Sequence, residues 1–181
     1  MGITQIGALF LRLFIVRPRA RNDTWEGLVQ EALLAKSRFD AELSGVTEIE
    51  AKNRLRPRAE LATIGDIVAH LSKAHEWGIL FFTWILSKET TPPNPDWSQL
   101  FLGAQGRSFV HIREEYEQNW KSLMRVCQNV LLPNSKRTVR HFMFGNLTSR
   151  EWLVVVAMHY DYHLKQIKRL RHRMDYKEIT W

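Results

Sequence analysis

The chain has 181 residues, 45% of them hydrophobic and 25% charged, with seven Trp and nine Phe, which supports one folded domain and excludes a disordered chain. A single cysteine, Cys127, excludes an internal disulfide framework and a cysteine-rich zinc site, and fits a reducing, cytoplasmic setting. The formal charge of +7 sits at the ends: residues 1–21 hold four Arg and no acid, residues 22–135 hold twelve basic against fifteen acidic side chains, and residues 136–181 hold ten against four.

In chain order, the first feature is the apolar run "IGALFLRLFIV", residues 6–16, followed by three more Arg. Interrupted by Arg12, it is too short for a bilayer, which asks for about 20 apolar residues. No Lys or Arg precedes it and no A-x-A pattern follows, against a secretory signal. Ile6 stands where myristoylation of Gly2 would need Ser or Thr. Residues 1–21 are therefore expected to be an extension that packs on the domain or stays loose, with a short interfacial amphipathic segment as the lesser reading.

Four helical stretches follow over residues 22–172, with long connections between them. The first runs from a cap near Asp23, with Glu26 three residues on, to about Ser44, and its apolar residues Leu28, Ala32, Ala35, Phe39 and Leu43 recur at spacings of three and four. The second opens on "TIGD", with Thr63 as cap and Asp66 at the third helical position, and turns strongly apolar toward "ILFFTWIL". It stops before "SKETTPPNPD", whose prolines cannot continue a helix. The third starts at Trp97 or Ser108 and ends near Leu132, before Pro133-Asn134. The fourth opens on "LTSRE": Thr148 and Glu151 form a capping box, and Leu147 and Trp152 a hydrophobic staple. No segment alternates with a period of two, so no strand is expected. The basic cluster "KQIKRLRHRM" reads as the solvated last turns of the fourth helix, where cations complement the helix dipole, ahead of a C-terminal tail over residues 173–181. The fold class is all-α, a four-helix bundle, in which sites are built by side chains projecting inward from facing helices.

On the fourth helix, Trp152, Val155, Val156, His159, His163, Ile167 and Leu170 share one stripe. On the second, Ile67, His70, Leu71, Ala74, Gly78 and Phe81 form another, while His75 lies about 140° round from His70. His111 starts an acidic helical stretch, His141 sits in a connection and His172 in the basic tail. Two imidazoles at i and i+4 on a buried face need partners, because an unpaired buried polar group costs about 1–3 kcal/mol. A shared divalent metal provides one to each ring. Ordinary hydrogen-bonded histidines are the competing reading, and Tyr160 in place of Glu excludes the H-E-x-x-H metalloprotease motif.

The stretch "HFMFGNLTSREWLVVVAMHYDYHLKQI", residues 141–167, resembles the last-helix signature of the DinB-like metal-binding four-helix bundles, and "ATIGDIVAHLSKAHEW" resembles their second-helix segment. The resemblance covers residues 22–172 and implies a metal triad of His70, His159 and His163. The extension before Asn22 and the basic tail depart from the family pattern. Such a triad leaves an open metal position, as in catalytic zinc sites, and imidazole accepts zinc or nickel first and iron as well. Because the superfamily includes S-transferases that use low-molecular-weight thiols, the resemblance implies a metal-dependent enzyme that activates a thiol or water toward a small-molecule substrate. Asp66, one turn before His70, is expected to accept its second ring N–H. Gln166 is expected to orient a ligand, and Tyr160 to donate to an anion or fill an interhelical gap. Two alternatives stay open: a non-catalytic metal-containing bundle that binds a ligand or partner, and a basic nucleic-acid-binding protein. Nucleic acid and membrane are not the expected partners; a homodimer is, since apolar outer faces of bundles often pair.

Overall fold

The computed structural model describes residues 7–8, 10–53, 63–104, 106–129 and 131–178, with side chains described as far as His172. Its helices are α1 (Arg17–Asn22), α2 (Trp25–Leu43), α3 (Glu48–Lys52), α4 (Ile64–Leu86), α5 (Phe109–Cys127) and α6 (Ser149–Glu178). The four long ones, α2, α4, α5 and α6, make the bundle. Helix α4 packs chiefly on α5 and α2 chiefly on α6, with α4 meeting α6 across the core. One contiguous core joins Leu28, Phe39 and Leu43 of α2 to Ile67, Leu71 and Phe81 of α4, Ile112 and Leu123 of α5, and Leu153 and Ile167 of α6. Gly78 lets α4 approach α5 closely, since a Cβ there would stand 3.0 Å from Leu123 Cδ1.

The caps set where each helix begins. Thr63 Oγ1 accepts from Asp66 N at 2.9 Å and Asp66 Oδ2 accepts from Thr63 N at 3.1 Å, the reciprocal box expected for α4. The same box opens α6, between Thr148 and Glu151. Helix α2 departs from expectation: Thr24 is its cap, accepting from Gly27 N at 3.0 Å, because Asp23 already closes α1. Of the two starts open for the third helix, Ser108 is the one used, its side chain accepting from His111 N. That helix ends at Cys127, short of Leu132, and Trp97–Phe101 and Leu132–Asn134 are separate 3₁₀ turns.

Two elements have no sequence-based expectation behind them. The short helix α3 is opened by a Thr47–Glu50 capping box. A two-stranded antiparallel hairpin, β1 (Val139–His141) and β2 (Gly145–Leu147), precedes α6, with Val139 opposite Leu147 and His141 opposite Gly145. Three-residue strands are too short to show alternation in sequence. Residues 10–21 of the extension are helical and packed on the bundle. A π-helical turn, Arg12–Val16, leads into α1, burying Val16 and Ala20, while Arg17 Nε donates to Glu151 Oε1 at 3.3 Å and Arg150 Nε to Ala20 O at 2.6 Å. Among the described residues no helix is long and apolar enough to cross a membrane.

Candidate metal centre

His70 lies two turns inside α4, and His159 and His163 lie one turn apart on α6. The α4 and α6 capping boxes fix where these turns begin, and the inward stripes bring the rings together. One nitrogen from each imidazole lies within 4.8 Å of the other two, an arrangement that could hold a metal ion. His70 Nε2 is 2.8 Å from His159 Nε2, and His163 Nε2 is 2.9 Å from the same atom. His70 and His163 are buried; His159 keeps part of its surface open.

The other ring nitrogens decide the protonation. His70 Nδ1 lies 2.8 Å from Leu100 O, and a carbonyl only accepts, so Nδ1 carries the proton and Nε2 is a bare lone pair. His163 Nδ1 donates in the same way to Gln166 Oε1 at 2.9 Å, which again leaves Nε2 bare. Two lone pairs therefore point at His159 Nε2, which holds at most one proton. A single proton satisfies one of the two short N···N contacts; a divalent cation satisfies all three nitrogens. The environment also favours neutral rings. Burial pushes His163 down to about 3, aided by the neighbouring His70 and opposed by the Gln166 bond. Burial lowers His70 against the Leu100 bond, and desolvation followed by His163 and His70 holds His159 well below the usual range.

Asp66 does not take the place expected of it beside His70. Its Oδ1 accepts from Ala104 N at 2.9 Å, which ties down the end of the 3₁₀ segment whose Leu100 carbonyl orients His70. Gly103, in the same turn at φ +65°, sits so close that a Cβ there would lie 2.4 Å from Asp66 Oδ1. Gln166 Oε1 lies against the His163 ring, 2.9 Å from Nδ1. Tyr160 faces away from the triad nitrogens: its hydroxyl meets His75 Nε2 at 2.7 Å, with Phe39 and Trp120 ring centroids 5.5 Å off.

That contact belongs to a second buried polar cluster. Tyr116 donates to Asp40 Oδ1 at 2.9 Å, and Lys36, 6% exposed, bonds Asp40 at 2.5 Å and Glu117 at 2.8 Å, with its ammonium 4.9 Å from the Tyr116 ring centre. Burial, then the Lys36 charge, push His75 down to about 3. Sequence reasoning passed over His75 because it lies 140° from His70. The available signal was the composition of α4, whose exposed stripe of Glu76, Leu80 and Thr83 is narrow and does not include His75. His141 was also passed over. Its Nδ1 accepts from Met143 N at 3.0 Å and Phe144 N at 3.3 Å, and its ring packs 5.0 Å from Trp152. Cys127 is buried, which pushes its thiol up to about 12 and leaves it inert at neutral pH.

No protein-family model matches the chain, and no curated protein matches it in sequence. Solved structures do match in fold. The mycothiol-dependent maleylpyruvate isomerase superposes with a TM-score of 0.70 at 16% identity over 82% of this chain, which spans 62% of the isomerase's length. YfiT from Bacillus subtilis, described as a probable metal-dependent hydrolase with an unusual four-helix bundle topology, gives 0.57 at 20% identity over 86% of this chain and 92% of its own. TT2238, a four-helix bundle protein, gives 0.61 at 18% identity over 81% and 99%. With that helix order and that likeness, the chain has the fold of the DinB-like four-helix bundles.

Proposed function

We propose that this chain is a divalent-metal-dependent enzyme that activates a small thiol or water toward a small-molecule substrate. The observation that carries the reading is the proton count at the triad: three convergent Nε2 atoms with at most one proton among them. His70, His159 and His163 would hold the ion. Zinc and nickel suit three imidazoles best, and iron is acceptable. When bound, such an ion acts as a Lewis acid that makes a thiol or a water more acidic and so more nucleophilic at neutral pH.

The chain's own residues prepare that site. Leu100 O and Gln166 hold two ligand rings in the tautomer that presents Nε2, and buried neutral imidazoles leave the ion's full positive charge available to an anionic nucleophile. Phe101, its ring centre 5.7 Å from that of His70, shields one side from water. The partly exposed His159 marks the side from which substrate reaches the centre. The mycothiol dependence of the similar isomerase favours a low-molecular-weight thiol as nucleophile; the similar hydrolase favours water. A reducing cytoplasm, where such thiols are plentiful, agrees with the lone inert Cys127.

The test is a panel of electrophiles offered with a low-molecular-weight thiol, beside a panel of hydrolysable esters and amides. The reading expects turnover on one panel that is lost on chelation, restored by metal, and absent from His163→Ala. Bound metal with no turnover on either panel would replace it with a non-catalytic metal-containing bundle.

A further inference from the structure

The helical segment ahead of α2 buries one side and leaves another bare. Val16 and Ala20 are buried against the bundle, whereas Phe10 is 57% exposed, Leu13 41% and Phe14 64%. Phe10 and Phe14 pack against each other, ring centres 4.5 Å apart and tilted by 31°, so the exposed rings form one continuous apolar ridge. The ridge leads through the π-helical turn into α1, at whose end Arg21 stands exposed. Arg17 remains 40% exposed despite its bond to Glu151, and Arg21 is exposed. Of the four Arg in this segment, Arg12 and Arg17 face Glu151 and Arg19 pairs with Glu31, while Arg21 points to solvent. The adjoining hairpin, tied to it by a bond from the Arg12 guanidinium to Asn146 O, exposes Arg140 together with Phe142 and Met143, 46% and 45% accessible.

We infer that this end of the molecule docks on an anionic lipid surface, with Phe10, Leu13 and Phe14 entering the headgroup boundary and the exposed Arg21 and Arg140 pairing with lipid phosphates. An apolar ridge flanked by exposed arginines is what such an interface binds: buried apolar area and attraction to anionic headgroups add. A second copy of the chain is the competing occupant of this face, and the dimer measurement below separates the two. The helix lies on the surface and does not span it. This inference is independent of the metal centre.

Sedimentation of the full chain with phosphatidylcholine vesicles, and with phosphatidylcholine mixed with phosphatidylglycerol, tests it. At low salt the anionic vesicles should carry down at least about tenfold more protein than the neutral ones, because each arginine near such a surface contributes about a fivefold gain. High salt should release it. Phe10→Ser combined with Phe14→Ser should cut binding by about tenfold while helix content and melting temperature stay unchanged, and Arg21→Glu should cut it by about tenfold as well. Equal sedimentation with neutral and anionic vesicles, none with either, or undiminished binding by the double variant overturns the inference. So does a dimer by analytical ultracentrifugation that the double variant abolishes in a protein that binds no vesicles.

Discussion

Each triad imidazole depends on what its second nitrogen does. Gln166→Leu removes the acceptor that keeps the proton of His163 on Nδ1, and should weaken metal affinity about 10- to 100-fold, as measured by competition with a chromophoric chelator. Gln166→Glu, which keeps the acceptor, should recover most of it. The buried histidines outside the triad add to acid sensitivity. Folding holds His75 near 3 and His141 near 4 against about 6.5 in the unfolded chain, so between 6.5 and those values the unfolded state binds more protons. Stability is then full above about pH 6.5 and falls as pH drops, by up to about 1.4 kcal/mol per pH unit for each group. Urea unfolding at intervals from pH 7.5 to pH 4.5 should show this slope, and a His141→Gln variant should show a shallower one. The individual histidines were only partly legible in sequence: the spacing of His159 and His163 placed both on a face that must be buried. The Leu100 acceptor could not be read, because a backbone carbonyl 30 residues away leaves no mark on a side-chain pattern.

At the scale of elements, capping chemistry carried the most information. Two capping boxes were readable because they require particular side chains at a fixed offset, and both precede the helices that carry the triad. Asp66 shows the limit of that reading. One residue both closes the Thr63 box and, through Ala104 N, anchors the turn behind Leu100. Gly103→Ala should therefore act at a distance: a Cβ at φ +65° meets the Asp66 carboxylate, and the strained turn should cost about 1–3 kcal/mol in thermal stability and lower metal affinity together. Thr63→Ala removes only a cap, and should cost about 1 kcal/mol in the same melt. Arg137 supports the far end of α4. Its guanidinium lies 3.6 Å from the Trp84 ring centre and donates to Ser87 O and Glu89 O just past the last turn. The hairpin that follows it escaped notice because three-residue strands carry no periodic signal.

For the whole molecule, the four long helices, their order and the all-α class were legible from apolar periodicity and from the prolines and glycines between the runs. The third helix was placed least well, because Gly103 and Gly106 blur a boundary that tertiary contacts settle. The extension was the least decided part, since an apolar run with one arginine fits a packed helix and a loose end equally. Its packing is open to test: Val16 is fully buried, so Val16→Ala should destabilise the chain by about 2 kcal/mol through the loss of two buried methyl groups. No change in the unfolding midpoint would mean that the segment contributes nothing to the bundle. The chain's central property is the convergence of three neutral imidazoles from two helices on one point. Elemental analysis of protein purified without a histidine tag, wild type beside His70→Ala and His159→Ala, tests it most directly. Close to one divalent metal per wild-type chain and little in either variant is the predicted result; equal, negligible metal in all three proteins would contradict it.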